Sequence, residues 1–171
     1  SMCNIGQCMY VLLTEKDGGI VNDPVLLKIS DNHFWLSIAD SDVLLWCMGV
    51  ASANNFNVKL SEPDVSPLAL QGPKSRDILN SISTISLDNL KFFWLVKTDI
   101  QGIKATISRT GYTGDLGYEI WVDPSPAIEL WDLLMEAGEP FGITPAGLHA
   151  LDMARIEAAL ILLDVDYISS R

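Results

Sequence analysis

The apolar positions of this chain come mostly in short runs broken by Gly, Pro, Asn, Asp and Ser, the spacing of strands joined by turns. Met9 to Leu13 reads as a strand, turned by Lys16-Asp17-Gly18-Gly19. Ile20-Val21 and Val25 to Ile29 read as its return, interrupted by Asn22-Asp23-Pro24. A proline has no amide to give to a ladder, so Pro24 marks an edge or a bulge. His33 to Ile38 forms a third strand. Asp40 or Ser41 then caps a helix to about Asn54, with Val43, Leu44, Trp46, Cys47 and Val50 on its apolar side. Phe56 to Leu60 and Leu68 to Leu70 read as strands, the second leading into a helix from Pro73 to about Ser81. Phe92 to Lys97 and Ile103 to Arg109 pair through Asp99-Ile100-Gln101-Gly102, and Tyr118 to Val122 is a further strand. Ser125 caps a helix in which Ala127, Trp131, Leu134 and Gly138 recur at helical spacing and Gly138 is the stop. Thr144-Pro145 opens a last helix to about Ala159, and Ile161 to Tyr167 is a final strand-like run. Helices inserted among antiparallel or mixed strands give an α+β fold. Trp35, Trp46, Trp94 and Trp131 are expected in its core.

Composition narrows this picture. The 171 residues suit a single domain spanning 1–171, with 49% apolar and only 19% charged residues. Eleven basic against 22 acidic residues leave a net charge of −11, a field that repels nucleic-acid phosphates and anionic membranes. No apolar segment is long enough to span a membrane, and no basic-then-apolar leader opens the chain. Cys3, Cys8 and Cys47 are odd in number and lack metal-ligand spacing, which suggests neither a disulfide framework nor a metal site and points to a reduced, cytoplasmic protein. Ser1-Met2 reads as a cloning remnant before a start methionine. His33 and His149 have no partner at metal-ligand spacing.

The densest chemistry lies in Ser108-Arg109-Thr110-Gly111-Tyr112-Thr113-Gly114-Asp115-Leu116-Gly117-Tyr118-Glu119-Ile120. Three glycines within the seven residues Gly111 to Gly117 are more than a tight hairpin requires. Glu119 breaks an apolar strand, so its carboxylate either faces water or faces a cavity that supplies donors. Its neighbour Trp121 is expected on the opposite face. Asp23, restricted to extended backbone by Pro24, is either an Asx-type turn residue or a reactive carboxylate. Tyr10 and Tyr112 by themselves read as ordinary core or hairpin aromatics. Arg109 either pairs with a carboxylate or ends its strand in water. Arg155, one turn after Asp152 and near Glu157, suits a local ion pair.

Arg-Thr-Gly-Tyr-Thr-Gly-x-x-Gly-Tyr-Glu-Ile resembles the signature of the glycine-cleavage T-protein family, the tetrahydrofolate-dependent aminomethyltransferases and their relatives. Three further segments agree in order: Gly6 to Tyr10 with Asp17 to Asp23, Leu68 to Pro73, and Ala146 to Ala158. The resemblance runs over about residues 6 to 164 and implies a truncated member, a folate-binding domain without the family's C-terminal β-barrel. It implies tetrahydrofolate as acceptor of a methyl or aminomethyl group from a small donor. Asp23 would be the catalytic carboxylate beside the folate nitrogens, and Glu119 would hold the pterin edge. Tyr112, Tyr10 and Arg109 would line the cofactor pocket. Apolar surface normally covered by missing segments implies a homodimer or a partner chain. The alternative is a non-catalytic folate-binding or oligomerisation remnant. Aminomethyltransferases usually carry Asp-Asp in the early hairpin, Asn-Ala after the third strand and arginine in the last helix. Here stand Asn22-Asp23-Pro24, Ile38-Ala39-Asp40-Ser41-Asp42 and Leu151. The first two of these departures resemble the dimethylsulfoniopropionate demethylase branch.

Overall fold

In a computed structural model, which describes residues 3–38 and 43–170, the chain is α+β. Its contacts divide it into two compact units. The first comprises Met9–Pro63 with the two chain ends, the second Asp64–Leu160 with Gly6–Cys8.

In the first unit, β1 (Cys8–Tyr10), β4 (Val25–Ser30) and β5 (His33–Ser37) form a sheet in the order β1-β4-β5. A smaller pair joins β2 (Leu13–Thr14) to β3 (Ile20–Asn22). The break at Asn22-Asp23-Pro24 separates β3 from β4, as the proline implies. Helix α1 (Val43–Ala53) follows, its expected caps Asp40 and Ser41 lying outside the described residues. Val43 is buried, Leu44, Trp46 and Cys47 are half-buried, and Val50 is exposed.

Two expected strands are absent from this unit. Asn55 takes a left-handed backbone at φ 55° and ends α1, with Phe56 N–H bonded to the Ala51 carbonyl at 2.9 Å. The run after it, Phe56 to Leu60, is exposed and pairs with no strand among the described residues. Ile161 to Tyr167 folds instead into a turn. Asp166 accepts from Leu162 N–H at 2.7 Å and Asp164 from Ser169 N–H at 3.1 Å. Side-chain acceptors so close to the backbone compete with a sheet ladder, and here they win.

The second unit carries the main core. β6 (Ser66–Gln71), β7 (Leu95–Ile100), β8 (Ile103–Ser108) and β9 (Gly117–Val122) form an antiparallel sheet in the order β6-β9-β8-β7. Gln101 and Gly102, at φ 47° and 96°, make the two-residue turn between β7 and β8. Asp99 steadies that turn, accepting from Gly102 N–H at 2.5 Å and from Lys104 Nζ at 3.0 Å.

Alternation gives the sheet two faces. One presents Leu70, Tyr118, Ile120, Val122, Ile107, Ala105 and Ile103 to helices α2 (Ser75–Ile82) and α3 (Ala127–Gly138), which add Ile78, Leu79, Ile82, Leu130 and Leu134. Leu79, Ile107, Ile120 and Leu130 are fully buried there. The other face is polar and carries the chemistry described below.

Helix starts fall later than Pro73 and Pro145 suggest. Pro73 lies in the turn before α2, and α4 (Leu148–Glu157) begins after Gly147, whose carbonyl accepts its first bonds. At the start of α3, Pro126 rather than Ser125 stands at the cap. Gly138 does end that helix, and a short 3-10 segment, Glu139–Phe141, extends it. Trp131 is 47% exposed rather than in the core. The buried stripe of α3 is Leu130, Leu134 and Gly138, which leaves Trp131 at its edge, about 100° round the helix from Leu130.

Candidate functional site

Glu119 sits in the middle of β9, in register with Ala69 of β6 on one side and Ser108 of β8 on the other. Both partners share the polar face of the sheet. The chain leaves β8 through Arg109 and returns through the glycine-rich loop, which brings Thr110 back over that face. Thr110 is 3% exposed and its hydroxyl donates to Glu119 Oε2. Ser108, fully buried, lies 2.7 Å from Thr110 Oγ1.

Glu119 itself is half-buried. Burial pushes its pKa above the ordinary carboxylate value, and the Thr110 hydrogen bond pulls part of the way back. No other hydrogen bond reaches its carboxylate among the described residues, so Oε1 has accepting capacity left. The Glu119 carboxylate is thus half-buried against the Thr110 hydroxyl and not fully open to water.

Trp121 corrects an expectation. Residues two apart in a strand share a face, and Trp121 lies beside Glu119, its indole Nε1 donating to Ser108 Oγ at 3.3 Å.

Two of the three loop glycines, Gly111 and Gly117, have a steric neighbour that composition hid. Gln71, at the end of β6, points its amide into the loop. Its Nε2 donates to the carbonyls of Thr110 at 3.4 Å and Tyr118 at 3.2 Å, and its Oε1 accepts from Thr113 Oγ1 at 3.2 Å. A Cβ on Gly111 or Gly117 would lie 2.1 or 1.8 Å from Gln71 Oε1. A side chain at either position would displace the clasping glutamine and break the bonds its amide makes. Beside the clasp, Gln71, Gly72, Thr113, Gly114, Asp115, Ala154, Glu157 and Ala158 line an open cleft of about 520 Å³.

Tyr112 lies half-buried in the same loop. Arg109 is half-buried, and its Nη1 donates to the Leu90 carbonyl at 3.0 Å. Its Nε is buried with no partner among the described residues. Arg155 is 3% exposed and bonds Asp152 Oδ1 at 2.7 Å and the Leu160 carbonyl at 3.2 Å, the local ion pair its spacing suggested.

The other two sequence candidates come together in the first unit. Tyr10 donates its phenol to Asp23 Oδ2 at 2.6 Å across the break between β3 and β4. Asp23 N–H is held by Asn22 Oδ1 at 3.0 Å, and Asn22 is fully buried. So Asn22 shapes the turn, while the Asp23 carboxylate is turned to Tyr10 instead of to its own backbone.

Sequence reasoning assigned no role to Ser108, Thr110 and Gln71, and it put Trp121 on the wrong face. Alternation alone could have found Trp121. The hydroxyls flanking Arg109 and the clasping glutamine depend on cross-strand register, which no local pattern carries.

Known proteins match nearly all of the chain. The GCVT N-terminal domain family matches residues 1–170. An aminomethyltransferase of Alkaliphilus metalliredigens is 40% identical over 91% of this chain and 43% of its own length. The dimethylsulfoniopropionate demethylase DmdA of Ruegeria pomeroyi is 35% identical over 91% of this chain and 42% of its own. Among solved structures, the glycine cleavage system aminomethyltransferase T of Bartonella henselae superposes with a TM-score of 0.79 at 26% identity, over 95% of this chain and 43% of that one. The chain thus spans less than half the length of these relatives, and both branches match it at similar identity. On the family match across its length, this chain belongs to the GCVT N-terminal domain family.

Proposed function

We propose that this chain supplies the folate-binding portion of a tetrahydrofolate-dependent one-carbon transferase, in which tetrahydrofolate accepts an aminomethyl or methyl group from a small donor. The observation that carries this reading is Glu119. A carboxylate held by one oxygen in a dehydrated sheet, with the other oxygen still able to accept, suits a rim of adjacent N–H donors such as a pterin edge presents. Tyr112 and Arg109, in the same unit, are assigned to the walls of that pocket. In the other unit, Asp23 is assigned the catalytic role and Tyr10 the one of holding its carboxylate. A carboxylate beside a reacting folate nitrogen stabilises positive charge as the one-carbon group arrives. For transfer from a sulfonium, displacement at the methyl carbon makes positioning matter more than acid or base strength. Asn22-Asp23-Pro24 leans towards that chemistry. The acidic charge and three cysteines suit a reduced, cytoplasmic setting.

A second reading, a folate-binding or oligomerisation module without turnover, draws support from α4. There Leu148, Met153 and Ile156 are 83%, 65% and 57% exposed on one helix. A surface of that kind fits a homodimer or a partner chain.

Calorimetric titration with tetrahydrofolate separates the readings. Binding that Glu119→Gln weakens by roughly 10- to 100-fold, the cost of about 1.5–3 kcal/mol for a charged hydrogen bond, supports the pocket. One-carbon transfer lost in Asp23→Ala with binding intact supports the catalytic assignment. Binding without transfer under any donor tried favours the module, and no binding at millimolar ligand removes folate from the account.

A further inference from the structure

Glu119 stands at the end of a line of hydrogen bonds whose direction is set by chemistry. Trp121 Nε1 lies 3.3 Å from Ser108 Oγ, Ser108 Oγ lies 2.7 Å from Thr110 Oγ1, and Thr110 Oγ1 bonds Glu119 Oε2. An indole N–H only donates, so the Ser108 oxygen accepts at that end. An ionised carboxylate only accepts, so Thr110 gives its proton at the other. Ser108 then has one proton to give. The Thr110 oxygen is 2.7 Å away, against 3.5 Å for the Glu119 carbonyl. Water has little access, since Ser108 is fully buried and Thr110 is 3% exposed.

No charged neighbour explains how Glu119 is held. Its register partners Ala69 and Ser108 carry no charge. The charged residues on this sheet face are Lys97, in register with Thr106, and the Asp99–Lys104 pair near the β7–β8 turn. Only burial and the Thr110 hydroxyl move the titration of Glu119, in opposite directions.

We propose that Trp121, Ser108 and Thr110 form a one-way hydrogen-bond relay that positions the Glu119 carboxylate and favours its charged form, leaving Oε1 to accept from a ligand. Thr110 is the positioning residue, and Ser108 and Trp121 act through it. Hydrogen bonds in line polarise one another, so the far donor strengthens the near one. The relay deepens the reading of Glu119 as the pterin carboxylate, but its geometry stands without that reading.

The test follows the Glu119 side-chain carboxyl carbon by NMR across pH in the ligand-free chain. Thr110→Val, which removes the hydroxyl at nearly constant volume, is expected to move the Glu119 midpoint upward, and Thr110→Ser to restore it. Trp121→Phe and Ser108→Ala are expected to move it the same way by less. A midpoint unchanged or lowered in Thr110→Val overturns the proposal. Should that variant fail to fold, Trp121→Phe decides: an unmoved midpoint there overturns the relay.

Binding supplies a second arm. Thr110→Val should weaken tetrahydrofolate by about tenfold, yet add nothing to the loss in a Glu119→Gln background, because both act through one carboxylate. A full extra loss in the double variant would show Thr110 acting independently of Glu119 and overturn the proposal. If neither single variant weakens tetrahydrofolate, the pterin reading fails, while the carboxyl titration still decides the relay.

Discussion

Glu119 combines burial with charge, and that has a consequence for stability as well as binding. Its folded pKa is raised, so the folded state holds the proton to higher pH than the unfolded chain does. Stability therefore falls as pH rises through the window between the unfolded and folded values and stays lower above it. Glu119→Gln, which keeps an acceptor for Thr110, should be more stable than the natural chain at pH 7, and the difference should close below the ordinary carboxylate range. Denaturant melts at the two pH values measure it. Gly117 gives a second test at this scale. Gly117→Ala would set a Cβ 1.8 Å from Gln71 Oε1, and overpacking of that kind costs about 1–3 kcal/mol. Adding Gln71→Ala should return part of the loss. If the two costs simply add, the glutamine clasp is not the reason for the glycine. The glycines and Glu119 were visible in the sequence as oddities. Their causes were not, because Gln71 and Thr110 meet them only through the β6-β9-β8 register.

Among elements, β8 and β9 were legible because their apolar runs are bounded by turn residues, whereas β7 begins three residues later than Phe92 and takes in Asp99 and Ile100 from the expected turn. Runs lacking a partner misled. Phe56 to Leu60 has strand-like residues, but it follows a left-handed Asn55 and pairs with no strand among the described residues. Strand propensity reports fit to a half-buried pleated surface, and there is none at hand. In α3 the helix was legible and its phase was not. Leu134 and Gly138 belong to both the expected and the observed stripe, which differ in having Trp131 or Leu130 at one edge. The helix settles on the series that places Leu130 and Leu134 against the sheet core. Alanine substitutions distinguish the two phases. Leu130→Ala should cost about 2–5 kcal/mol, and Trp131→Ala should fall well below the ~3–5 kcal/mol of a buried tryptophan. The reverse order would contradict the packing described.

At the scale of the whole chain, the sequence showed α+β class and family, since four motif segments kept their order. It showed less of how the chain is divided. Contacts separate a unit around Met9–Pro63 from one around Asp64–Leu160, with Asp23 and Tyr10 in the first and Glu119, Tyr112 and Arg109 in the second. Local pattern carries little of that, because the division depends on chain ends that return to β3: Ser169 Oγ bonds the Val21 carbonyl at 2.9 Å and Ser170 N–H the Ile20 carbonyl at 2.8 Å. On α4, Leu148, Met153 and Ile156 are exposed. Self-association is the expected outcome in sedimentation at micromolar concentration, and Met153→Glu with Ile156→Lys should abolish it. A monomer at that concentration would argue against this face as a dimer contact. Whether Glu119 receives the ligand is read by following its carboxyl carbon in NMR while tetrahydrofolate is added at neutral pH. A saturable shift and a lower titration midpoint in the complex are expected, because N–H donors at Oε1 favour the charged form. Saturable binding that leaves the Glu119 resonance and its midpoint unmoved would place the ligand elsewhere and contradict the account.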